Sequence, residues 1–137
     1  MRRMLAIGML GLVLALGTTG CSSDLVCPAI GWNNTVQVDA SAFGDAVLVQ
    51  LCVDAGCSAG PGEEPAPSSD MGMPVHAEDG VFNLSMTAPE EATIRVYDAA
   101  GTLLQESGHE IEWTHSTEAC GGPGVAAPIT VIPERPS

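Results

Sequence analysis

Along much of the chain apolar and polar residues alternate, the period-2 pattern of a strand with one buried face. Thr35-Val36-Gln37-Val38-Asp39 shows it plainly. Val47-Leu48-Val49-Gln50-Leu51-Cys52-Val53 is nearly apolar throughout and predicts a stronger strand. Asp54-Ala55-Gly56 then supplies turn chemistry, so that Cys57 begins a return. Further along, Val81-Phe82-Asn83-Leu84-Ser85-Met86 predicts a strand with Phe82, Leu84 and Met86 on one face. Thr93-Ile94-Arg95-Val96-Tyr97 alternates again. Asp98-Ala99-Ala100-Gly101 turns it into residues 102–106, which makes a hairpin. Residues 110–114 predict a strand with Ile111 and Trp113 inward, and residues 127–132 the last one.

Helical periodicity is absent beyond residue 20, and no internal repeat stands out. About seven short strands separated by turn signals predict an all-β fold, an antiparallel β-sandwich of immunoglobulin-like or transthyretin-like type. One stretch breaks the pattern. Residues 58–74 are rich in Gly, Pro, Ser and acids, with Pro61, Pro65, Pro67 and Pro74 excluding regular structure. So long a loop inside a small domain is functional or disordered, and the composition predicts disorder.

The first 20 residues follow different rules. Arg2 and Arg3 precede an apolar run over residues 4–16, and small residues close it, the three-part layout of a secretory signal. The run falls short of the about 20 apolar residues that a permanent transmembrane helix needs. Thr18-Thr19-Gly20-Cys21 resembles the lipobox of bacterial lipoproteins, although Thr18 stands where that family most often has Leu. The resemblance implies removal of residues 1–20 by a cut between Gly20 and Cys21. It also implies a diacylglyceryl group on the Cys21 sulfur and acylation of the new amino group. An ordinary cut after Gly17 would instead leave Cys21 as a free thiol. On the first reading residues 21–26 are anchor and tether, 27–133 the sandwich domain and 134–137 a tail.

Cysteine count bears on this reading. The chain has five cysteines, and an odd number in an exported protein leaves one to be explained. With Cys21 lipidated, Cys27, Cys52, Cys57 and Cys120 form two pairs, stable in an oxidising compartment. Of the three connectivities that four cysteines allow, the turn at Asp54-Ala55-Gly56 favours Cys52 with Cys57, which leaves Cys27 with Cys120.

Charge narrows the list of partners. Beyond Cys21 only Arg95 and Arg135 stand against 17 acidic residues, a net of −15, and lysine is absent. Nucleic-acid binding, which needs clustered Lys and Arg to displace counterions, is excluded. So is a purely electrostatic hold on an anionic membrane. Two acyl chains suffice for anchoring against that repulsion.

Three motifs of the mature part, Cys27-Pro28-Ala29-Ile30-Gly31-Trp32, Leu51-Cys52-Val53-Asp54-Ala55-Gly56-Cys57 and Cys120-Gly121-Gly122-Pro123-Gly124, together resemble a group of uncharacterised small lipoproteins of actinobacteria. The resemblance implies a disulfide-bearing sandwich and carries no activity with it.

Catalytic signatures are missing. The acid pairs Glu63-Glu64, Glu78-Asp79 and Glu90-Glu91 lack the spacing of an EF-hand, and no Gly-x-Ser-x-Gly elbow occurs. His109 and His115 would share a face of the strand over 110–114, but too far apart for one metal ion at about 3.3 Å per residue. The one constellation with a chemical edge is Met71, Met73 and His76, whose thioethers and imidazole suit Cu(I). Against that, methionine is a common gap-filler. The sequence therefore predicts a non-enzymatic, cofactor-free protein, lipid-anchored at the outer face of the cell membrane, as a binding or structural module. An extracytoplasmic Cu(I)-binding lipoprotein is the alternative.

Overall fold

The computed structural model describes residues 26–29, 31–45, 47–67 and 72–136. These form an all-β structure of two sheets. The first has the order β4 (Val75–His76), β5 (Val81–Asn83), β1 (Thr35–Asp39), β9 (Val125–Ala126) and β8 (Trp113–Thr114), with β10 (Ile129–Thr130) also on β1. The second runs β3 (Gly56–Cys57), β2 (Leu48–Val53), β6 (Glu91–Tyr97) and β7 (Leu103–Glu110). A short 3₁₀ turn at Ser41–Phe43 links β1 to β2. Five of the ten strands, β3, β4, β8, β9 and β10, are only two residues long.

Alternation decides what each strand buries. In β1 Val36 and Val38 point inward between exposed neighbours, and in β6 Ala92, Ile94 and Val96 are buried between neighbours that are mostly half-buried. Val36, Val38, Phe82, Ala126 and Ile129 of the first sheet join Leu51, Ala92, Ile94 and Val96 of the second in one apolar cluster. Burial of this surface, at roughly 25 cal/mol per Å², holds the two sheets together.

The first sheet departs from the antiparallel expectation. β1 pairs parallel with β9 through Thr35 and Val125, and with β10 through Val38 and Ile129. Parallel neighbours need a long crossover, which the whole second sheet here supplies. Between β9 and β10 lies Pro128, which has no N–H to donate and divides the segment in two.

Two predicted strands are corrected. The strand over 81–86 stops at Asn83, because Ser85 takes a positive φ of 54° and Thr87 N bonds back to Leu84 O. Phe82 and Leu84 are buried as expected, whereas Met86 is 55% exposed. Residues 110–114 are not one strand. β7 ends at Glu110, buried Ile111 donates its N–H to Glu90 O, and Trp113 opens β8 in the opposite sheet. His109 and His115 therefore belong to different sheets' surroundings and share no strand face.

The acidic segment, expected to be disordered, is held at both ends. Ser58 is buried, its N–H reaches Leu51 O, and its Oγ accepts the Leu51 N–H at 3.0 Å. Gly60 N–H donates to Glu63 Oε2 at 2.8 Å. At the far end Pro74 is fully buried and Val75–His76 pairs with β5.

The β4–β5 connection turns on Asp79 and Gly80, both at positive φ (51° and 76°), with Val81 N–H closing the turn on Glu78 O. A Cβ at Gly80 would fall 2.4 Å from Val38 O. Gly80→Ala should lower stability by roughly 1–3 kcal/mol through strain and clash. Chemical denaturation checks it; an unchanged midpoint would contradict this account of the turn.

Candidate functional site

One end of the sandwich is sealed. Cys27 and Cys120, 93 residues apart, are joined by a disulfide with their Cα atoms 5.2 Å apart. Trp32 lies over Gly121 there, where a Cβ would meet its ring at 2.7 Å. Buried Asn34 ties three segments together: its Nδ2 donates to Thr87 O at 2.9 Å and its Oδ1 accepts Gly124 N–H at 2.7 Å. The indole N–H of Trp113 donates to Pro89 O at 2.8 Å, so Trp113→Phe should cost about 1 kcal/mol, measurable by thermal unfolding.

The other end is open. β1 runs away from the sealed end, and where it finishes at Asp39 a cleft of about 880 Å³ forms between the β1–β2 connection, the acidic segment and the Asp79-Gly80 turn. Val38, Val47 and Val49 line it alongside the carboxylates Asp39, Asp45, Glu63 and Asp79, with His76 as the remaining titratable group. Neither Arg95 nor Arg135 lines it. Asp39 accepts the Ser41 N–H at 2.9 Å, and hydrogen bonds from the Ser41 side chain and backbone hold its carboxyl below the usual range. The cleft is anionic at neutral pH and suits a cationic guest with apolar parts.

The outer face of the second sheet carries a polar chain. Tyr97 OH donates to Gln50 Oε1 at 3.0 Å, and Gln50 Nε2 to Ser58 O at 2.9 Å. Beside it Arg95 pairs with Glu106, whose hydrogen bond and charge raise the guanidinium pKa further. Arg95 Nη1 also reaches Cys52 Sγ at 3.7 Å. Cys52 is bonded to Cys57, its direct partner across the β2–β3 register. Thus the four cysteines from Cys27 onward form two bridges with the connectivity expected from the turn at 54–56. A cavity of about 480 Å³ at this end is lined by Cys52, Asp54, Glu91, His109 and Glu110 among others.

Ser107 Oγ lies 2.8 Å from His109 Nε2 on β7. Among the described residues no carboxylate hydrogen-bonds the other ring nitrogen, so the pair lacks the orienting group of a hydrolase triad. Gly20 and Cys21, expected to flank a signal cut, lie outside the described residues, as does Met71. Met73 packs against the hairpin turn, where a Cβ on Gly56 would meet its Sδ at 2.9 Å. The exposed His76 ring tilts on Phe82 with centroids 5.1 Å apart. Both side chains have packing partners. The triple variant M71L/M73L/H76A should keep the wild-type response in a Cu(I) titration; loss of a stoichiometric, chelator-resistant site would favour copper handling. Among the described residues no group of three His, Cys, Asp or Glu is placed to hold a metal ion, and no helix is long and apolar enough to cross a membrane.

Sequence reasoning missed the cleft and the Arg95 contact with Cys52. The cleft draws its acids from three separate segments, so no local motif announces it. The second follows from register: Arg95 pairs with Gln50, one step diagonal from Cys52. No protein-family model matches the chain, and no curated protein or solved structure matches it.

Proposed function

We propose that this chain is a non-enzymatic binding module of the cell envelope, lipid-anchored through Cys21 at the outer face of the membrane, in the manner of the bacterial lipoproteins its signal segment resembles. The observation that carries the reading is the use of cysteine. Cys27, Cys52, Cys57 and Cys120 are all consumed in disulfides, which leaves the cysteine next to the apolar signal for acyl chemistry. With the anchor joining at the Cys27–Cys120 end, the acidic cleft at the opposite end of β1 faces away from the membrane. It receives a positively charged partner, because an anionic one would be repelled by the rim carboxylates.

Cys21→Ala tests the anchor. The wild type should incorporate labelled palmitate and partition with membranes, and the variant should accumulate as precursor or as soluble protein. Equal label in both would end the proposal.

A further inference from the structure

We propose that the Cys52–Cys57 disulfide is a thiol–disulfide exchange site for thiols that carry no negative charge, with Arg95 stabilising the departing Cys52 sulfur. This goes beyond the anchored binding module and does not depend on it.

Three features separate this bridge from Cys27–Cys120. It closes a short loop, with a sequence separation of 5 against 93, so opening it frees far less chain. Its two residues are unequally placed: Cys57 is exposed, while Cys52 is buried. Among the described residues only the Cys52 sulfur has a guanidinium beside it, Arg95 Nη1 at 3.7 Å. A nucleophile therefore reaches Cys57, and the sulfur it expels is the one whose anion is stabilised. Lowering the pKa of the leaving thiol speeds exchange. The hairpin would survive reduction, since Leu51 and Ser58 stay joined by two hydrogen bonds, Ser58 N–H to Leu51 O and Leu51 N–H to Ser58 Oγ.

In the reaction a thiolate RS⁻ attacks Cys57 Sγ. The RS–Cys57 bond forms as the Cys57–Cys52 bond breaks, and Cys52 leaves as a thiolate that takes up a proton. A second RS⁻ attacks the R-bearing sulfur of the mixed disulfide and releases the Cys57 thiolate, which is protonated in turn. Two RSH are oxidised to RSSR and the bridge is reduced to two thiols.

The surroundings select the thiol. Asp54, Glu91 and Glu110 line the cavity that Cys52 also lines, with His109 as the fourth titratable group there. Arg95 is shared with Glu106, and Tyr97 lies close enough to influence it. Carboxylates outnumber cations around the bridge, so an anionic thiol is repelled and a neutral or cationic one is favoured.

The test is timed alkylation and mass spectrometry of the folded, oxidised protein with cysteamine, 2-mercaptoethanol or glutathione at matched thiolate concentration. Cys52 and Cys57 should be labelled well before Cys27 and Cys120, fastest with cysteamine and slowest with glutathione. A peptide cysteine flanked by lysines, run alongside, should outpace cysteamine if the physiological reductant is a polypeptide and lag behind it if it is a small thiol. Arg95→Met should slow opening about threefold to tenfold, the effect of raising a leaving-thiol pKa by roughly a unit. Arg95→Lys should restore much of the rate, and Glu106→Gln, which frees the guanidinium, should raise it. Opposite signs for the two partners of one ion pair are not expected of a merely structural role. Both bridges opening together, Cys27–Cys120 opening first, or wild-type rates in Glu106→Gln and Arg95→Met would overturn the proposal.

Discussion

The double variant C27S/C120S should lose about 4.7 kcal/mol of stability, roughly twice the about 2.2 kcal/mol expected for C52S/C57S, by the chain-entropy relation for closed loops. The difference comes from loop length, since the first bridge spans 93 residues of sequence and the second 5. For a domain of this size the larger loss lowers the melting temperature by roughly 15–20 °C. It also releases the N-terminal segment from the loop after β8, where Trp32 lies over Gly121. Urea titration of the two variants beside the wild type measures both losses. A smaller effect for C27S/C120S than for C52S/C57S would contradict the account of how the sealed end is held.

Phe82→Ala should cost about 3–5 kcal/mol, the usual range for emptying an aromatic site in a core. Phe82 is the largest of the fully buried side chains and sits in β5 between β1 and β4. Aromatics are few: Trp32, Phe43, Phe82, Tyr97 and Trp113. Val36 and Ile94 of the same apolar cluster are aliphatic and held on strands, so they cannot fold into the space a ring leaves. Phe82→Leu, which retains most of the volume, should cost much less. If alanine there left the unfolding midpoint unchanged, the apolar cluster would not be the centre of the fold.

Much of this architecture was legible in the sequence because one physical rule produces it. Where a strand has one buried face, alternation shows it, as at Val36 and Val38 or Ile94 and Val96. The same rule misled where the chain changed sheets. Ile111 and Trp113 are two apart and both turn inward, but the chain passes from one sheet to the other between them, which period alone cannot distinguish from a continuous strand. Met86 continued the spacing of Phe82 and Leu84, yet Ser85 takes a left-handed φ that breaks it. The β4–β5 hairpin had its signal in Asp79-Gly80, hidden within a run read for its acids. Parallel pairing of β1 with β9 and β10 depends on long-range topology and leaves no local trace. The disulfides were legible from one turn and simple counting. The cleft was not, because its acids meet only through the fold.

The central claim is a cleaved chain carrying lipid on Cys21 and a domain closed by two disulfides. Intact mass spectrometry of the protein extracted from membranes tests all of it at once. The account predicts a species lacking residues 1–20, heavier than the bare polypeptide from Cys21 by a diacylglyceryl group with or without an N-acyl chain, and lighter by the four hydrogens that the two bridges remove. A full-length chain, or one cut elsewhere with an unmodified Cys21, would contradict it.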